Sequence, residues 1–136
     1  MQNQHHFEHA KHNELVCNFL SKKEEFSDWI ITTAFYSSLH FVRYLMVPSQ
    51  IDGFKYDKFE PFYKKARYLD EGRHEFQVRY VLHEHNEIYS YYKTLRDMSN
   101  NARYLNYQYT REDATIAKDS LKFIKEYTTK VKPISK

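Results

Sequence analysis

The chain has 136 residues, with 21 basic and 18 acidic side chains and a formal net charge of +3. Only 2 glycines and 3 prolines are present, too few turn residues for an all-β fold with many tight hairpins, and the scarcity of glycine excludes a phosphate loop. The lone Cys17 cannot form an internal disulfide and suits a reducing cytoplasm, while the mild charge allows a polyanionic partner without requiring one.

The length fits one domain over residues 1–136, with 1–4 and 130–136 expected to fray. The polar start, Met1 to His12, lacks the apolar run of a signal peptide. A first helix is expected from His5 to Lys22, with Phe7, Leu15, Val16, Phe19 and Leu20 as its apolar stripe. Cys17 lies within it and reads as a small buried hydrophobe. Ser27 or Asp28 is a candidate N-cap for a second helix, Asp28 to Val47, apolar on most faces and hence central. Its Thr32, Thr33, Ser37, Ser38, His40 and Arg43 argue for a buried core helix over a membrane span, and Pro48 ends it.

Residues Ser49 to Tyr56 read as a loop. Asp57 followed by Glu60 resembles an acidic capping box, opening a short helix with Phe59, Phe62, Tyr63, Ala66 and Leu69 inward and Gly72 as its stop. A further helix starts near His74; whether it breaks at His83 to Asn86 or continues is left open, because neither Gly nor Pro decides it. The helix from Glu87 to Leu105 is strongly periodic through Ile88, Tyr91, Tyr92, Leu95, Met98, Ala102 and Leu105. After a connector, Asn106 to Tyr109, Thr110 with Asp113 caps a last helix to about Thr129, its inner face Ala117, Leu121, Ile124 and Tyr127. The expected fold is all-α, an antiparallel up-and-down bundle of four to five main helices.

The most unusual segment runs from Arg96 to Tyr104. At about 100° per residue, Arg103 lies some 20° from Arg96 around the axis, Asn100 about 40° and Ser99 about 60°. Two guanidinium groups, an amide and a hydroxyl thus share a stripe that can hold a phosphate through forked donors, or whose arginines pair with acids of a neighbouring helix. Among candidate metal ligands, His5, His9 and His12 can share a face, and Glu71 with His74 has Glu-x-x-His spacing. A di-iron bundle needs that pair twice, on helical interiors, with two further Glu. No metal and no cofactor is expected.

The motifs His9-x-x-His12-Asn13, Asp28-Trp29-x-x-Thr32-x-x-Phe35-Tyr36-x-x-Leu39-His40 and Tyr92-x-x-Leu95-x-x-x-Ser99-x-x-Ala102-Arg103-Tyr104 resemble small bacterial and archaeal HEPN-type helical proteins. The likeness spans roughly residues 5 to 128. It implies a dimerising helical bundle, RNA-directed as a metal-independent ribonuclease, a toxin or a binding module. A nucleotidyltransferase antitoxin is the partner implied for some members. The superfamily's active motif is an Arg, four to six variable residues and a His. Counted from Arg96, the histidine positions hold Asn101, Ala102 and Arg103. Cleavage through the 2′-hydroxyl needs a proton acceptor and a donor, which Arg cannot supply in place of His. The resemblance therefore implies phosphate binding by Arg96, Ser99, Asn100, Arg103 and Tyr104. Any catalysis would fall to Arg96 and Arg103, with the imidazole of His40. Tyr104 also matches the neighbourhood of a nucleotide-accepting tyrosine, without its histidine, and His74 with Arg79 resembles a His-Glu…Arg element. The expectation is a cytoplasmic homodimer acting on RNA, without a membrane partner; the alternative is a non-catalytic scaffold for a partner protein.

Overall fold

The computed structural model describes the backbone of residues 2–22, 26–104 and 109–134, and the side chains of 4–22, 26–102 and 109–134. Among these, six α-helices and one two-stranded ribbon occur in the order α1 (Gln2–Leu20), α2 (Ser27–Met46), β1 (Ser49–Ile51), β2 (Phe54–Tyr56), α3 (Phe59–Ala66), α4 (Arg73–Glu84), α5 (Tyr89–Tyr104) and α6 (Arg111–Val131). The protein is thus all-α but for the small hairpin. No helix among the described residues is long and apolar enough to cross a membrane.

Helix α2 is the centre. Its apolar surround buries Ile31, Ala34, Phe35, Phe41, Val42 and Met46 completely, as expected of a helix that is apolar on most faces. Helix α1 packs antiparallel to it: Ser37 donates to the Ala10 carbonyl at 2.7 Å, and further along Cys17 Sγ reaches the Ile30 carbonyl at 3.6 Å. The buried stripe of α1 is Phe7, Ala10 and Cys17, not the expected Leu15 and Phe19, which are 66% and 59% exposed. The reason is close approach: Ala10 and Cys17 are small enough to let the two backbones meet. Glu14 shares that stripe, drawn to Lys125 of α6 at 3.0 Å.

The segment expected as a loop is the β1–β2 hairpin, with Ser49 opposite Tyr56 and Ile51 opposite Phe54. Asp52 and Gly53 turn it at φ +52° and +80°, the paired positive values that a two-residue hairpin favours and Asp-Gly tolerates. Helix α3 buries Phe59, Phe62 and Tyr63 but ends at Ala66, so Leu69 is 90% exposed. No side chain caps α2 or α3; Glu60 is held instead by Arg73, Nη2 to Oε2 at 2.8 Å. Gly72 does not stop α3 but stands at the N-cap of α4. The open question at His83 to Asn86 resolves as a break: α4 ends at Glu84 and a 3-10 turn, Asn86–Ile88, leads into α5. Helix α6 begins as expected, with Thr110 and Asp113 in a reciprocal capping box.

Helices α5 and α6 pack antiparallel, Tyr91 stacking on Phe123 at 4.2 Å while Tyr109, just before α6, donates to the Met98 carbonyl at 2.9 Å. The end of α2 is stapled to the end of α6: Lys132 Nζ donates to the carbonyls of Tyr44 and Val47 at 2.7 Å each. The buried apolar residues form one cluster, with Tyr92, Phe35, Phe41 and Ile31 among its largest members.

Candidate functional site: a histidine and arginine basin

Histidines on α1 and α2 meet where the two helices run side by side. His6 and His9 are three residues apart on α1, and His40 and Arg43 three apart on α2, so each pair shares a helix face. The antiparallel packing brings the faces together. His9 and His40 stack at 3.8 Å between ring centroids, 21° from parallel, and His6 lies 5.9 Å from His40 at the same tilt. His5 extends the group, 6.0 Å from His9.

Two ring nitrogens in this group, Nδ1 of His6 and Nδ1 of His40, are buried with no hydrogen-bond partner. Burial, followed by the cations and imidazoles around it, pushes His40 down to about 3. The same causes, with Arg43 foremost among the charges, push His6 down to about 4. His9 shifts the same way, from burial and then from His5, His12 and Arg43. His6 and His40 are therefore neutral near pH 7, because a charged imidazole here would stand in a half-buried, electropositive place; the His9 ring beside them is exposed. Among the described residues no carboxylate acts on the three rings.

Arg43 is the basin's permanent charge. Its Nε donates to Gln77 Oε1 at 2.6 Å, and its guanidinium lies 4.0 Å over the Phe59 ring. It makes no ion pair among the described residues, and burial lowers its pKa. Glu60, the acid that acts on it, is engaged by Arg73. Behind Arg43, the fully buried Gln77 donates to the Tyr92 hydroxyl at 3.0 Å and to the Leu39 carbonyl at 3.3 Å. A buried polar thread, Arg43–Gln77–Tyr92, thus ties α2, α4 and α5 together, each polar group answered by the next.

The arginine stripe of α5 has a different setting. Arg96 reaches Glu75 of α4 through Nη2 at 3.2 Å and Asp97 through Nη1 at 3.4 Å; of the two arrangements left open for it, the carboxylate pairing is the one present. Ser99 is fully buried and Asn100 exposed. The side chains of Arg103 and Tyr104 lie outside the described residues. His74 packs edge-on against Phe35 at 5.5 Å, and Arg79 forms a two-bond pair with Glu71, both at 2.8 Å, which removes that carboxylate from any Glu-x-x-His arrangement. Among the described residues no group of three or more His, Cys, Asp or Glu is placed to hold a metal ion. Cys17 is buried, and burial raises its thiol pKa, as for an inert structural cysteine.

Two residues singled out in the sequence sit in the basin: His40, and His9, whose spacing puts it on a face with His5 and His12 and gives no sign that it meets α2. His6 and Arg43 do not stand out as site residues in the sequence. Their signal is an i, i+3 spacing to His9 and to His40, and only the helix pairing joins them. The arrangement suits anion capture: Arg43 carries a charge that no ion pair among the described residues takes up, neutral imidazoles stand beside it, and Glu60, the acid that acts on it, is engaged by Arg73. Comparison with protein-family models, with curated proteins and with solved structures found no match for this chain.

Proposed function

We propose that the chain is a HEPN-like helical bundle directed to RNA, and that it holds the phosphodiester backbone at the basin of His6, His9, His40 and Arg43. The observation that supports this is the charge balance: Arg43 acts on all three imidazoles and Lys132 on His6, and no carboxylate among the described residues acts on them. A polyanion supplies the missing sign, and its affinity then depends on salt through counterion release. Binding is favoured over cleavage. An imidazole held down at about 3, as His40 is, is a weak base, and catalytic efficiency wants a value near the working pH. A phosphate beside the stack raises that basicity, the direction in which metal-independent cleavage lies.

In this reading the chain acts as a cytoplasmic homodimer in a defence or toxin–antitoxin setting. Arg96, with Arg103 two turns further along the same helix, forms a second strip that reaches phosphate by exchanging its pairing with Glu75. The test is titration with single-stranded RNA at rising salt, using wild type, Arg43→Gln and the surface-lying His9→Gln. Wild type should bind with a steep salt dependence, and each variant should lose about tenfold, the range of one charge-assisted contact. Salt-independent binding, or wild-type affinity in both variants, would refute the proposal. Incubation with total RNA and a chelator separates cleavage from binding.

The second reading, a scaffold for a partner protein, is favoured by Leu15 and Phe19, one turn apart on α1 and largely exposed. Co-purification of a protein free of nucleic acid, lost in Leu15→Ser/Phe19→Ser, would support it over the first.

A further inference from the structure

Helix α2 is buried almost all round, yet one line along it stays open. Trp29 is exposed, and Thr33, Tyr36, His40 and Arg43 are half-buried. Their neighbours Ile30, Ile31, Ala34, Phe35, Leu39, Phe41 and Val42 are at most 3% exposed. The open positions alternate by four and three residues, which on a helix is a single straight stripe. From Trp29 to Arg43 it runs about 21 Å at 1.5 Å per residue.

The two ends differ in chemistry. At one lies the basin, where Arg43 is the fixed charge and Glu60, the acid that acts on it, is taken up by Arg73. At the other lies the Trp29 indole, 56% exposed and without a ring partner among the described residues. Between them lie the half-buried Tyr36, packed against Phe35, and Thr33, whose hydroxyl donates to the carbonyls of Trp29 and Ile30 at 2.8 and 3.2 Å. Exposing an indole costs burial that a large ring otherwise supplies. A flat indole, unstacked among the described residues and in line with the fixed charge of Arg43, is the pairing that single strands use, bases on the ring and phosphates on the charge. A duplex keeps its base faces inside the stack and offers none to an indole.

Resting on the RNA-directed reading above, we infer that this stripe is a track for a single RNA strand a few nucleotides long, with phosphates at His40 and Arg43 and a base stacked on Trp29. Trp29 is the chain's 1 tryptophan, so the site carries its own reporter. The experiment is fluorescence titration of the full chain with a short oligouridylate, and with an RNA duplex of equal length, at low and moderate salt. The single strand should quench Trp29 in a saturable, salt-sensitive way and bind at least about tenfold more tightly than the duplex. Trp29→Ala should weaken binding about tenfold, the loss expected of one base–ring stack, and Trp29→Phe should restore most of it. Trp29 is on the surface, so both variants should keep the wild-type helical signal.

Binding of RNA without a change in Trp29 emission, equal affinity of Trp29→Ala, or equal affinity for the duplex overturns the track while leaving the RNA reading standing. No binding of either RNA form overturns both. An emission change that follows protein concentration alone marks this face as a contact between copies of the chain and also overturns the track.

Discussion

Acidification from about pH 7 to about pH 5 tests the dry histidine stack directly. His6 and His40 start from 6.5 as free groups and stand at about 4 and about 3 when folded. Above 6.5 both states of the protein are neutral at these sites, and the stability tied to them is fully present. As the pH falls through 6.5 the unfolded chain takes up protons that the folded chain refuses, so stability is lost until the pH passes the folded values. At pH 5 each group accounts for about 1.5 pH units of unfolded-state protonation, or about 2 kcal/mol at 1.36 kcal/mol per unit. Both rings are partly exposed, so solvent screening reduces the pair to about 2–3 kcal/mol. That is a sizeable share of a typical stability of 5–15 kcal/mol, and it lowers a urea midpoint by about 1 M.

Glu14, Glu60 and Glu71, held low by their cationic partners, lose their contribution only as the pH falls below their usual 4.5, so pH 5 separates the two effects. His85 is also lowered by burial and adds to the loss with the same sign; the variant His40→Phe isolates the stack. It keeps a ring against His9 but cannot titrate, so it should lose about 1–2 kcal/mol less than wild type over the same interval. The assay is urea denaturation at both pH values for the two proteins. An unchanged wild-type midpoint, or a variant that loses as much as wild type, would show that the stack is not electrostatically strained. Single-stranded RNA added at pH 5 should restore part of the wild-type loss and less of the variant's, by mass action on the folded state.

Other substitutions probe the packing around the site. Gln77→Leu should cost about 3 kcal/mol, since it leaves a buried guanidinium donor and the Tyr92 hydroxyl without their partner; a double-mutant cycle with Tyr92→Phe should show coupling above about 0.5 kcal/mol. Thr110→Ala removes the capping box of α6 and should cost about 1 kcal/mol by thermal or chemical unfolding. Arg96→Ala should change stability by less than about 1 kcal/mol, because its pairs with Glu75 and Asp97 are partly solvated; a larger loss would place Arg96 in the core's support. Cys17 should resist a thiol reagent in the native state and react only at the rate of unfolding, read by absorbance against a denatured control.

The helices are legible where local chemistry acts alone. Thr110 and Asp113 announce α6, and Pro48 marks the end of α2. Patterns that depend on a neighbour are not. On α1 two registers of apolar residues compete, and the one with small side chains is buried, because it lets α2 approach; the larger Leu15 and Phe19 stay outside. The hairpin at Asp52-Gly53 is signalled by its dipeptide and hidden by the shortness of its strands, three residues each. At the site, His40 stands out within a motif, but its meaning comes from His9 and His6, residues more than thirty positions away. Arg96 stands out for its company on one helix. Its partner, Glu75, belongs to another, and helical spacing alone could not choose between phosphate and carboxylate.

The residue behind Arg43 is an amide where an acid would fit the same space. A Gln77→Glu exchange would set a carboxylate against the guanidinium at the same distance and cancel its field from within. The Tyr92 hydroxyl and the Leu39 carbonyl would then face an acceptor in place of a donor. Gln77 orients the arginine without silencing it. Replacing one nitrogen by one oxygen would convert a guanidinium with no ion pair among the described residues into one half of a closed internal pair.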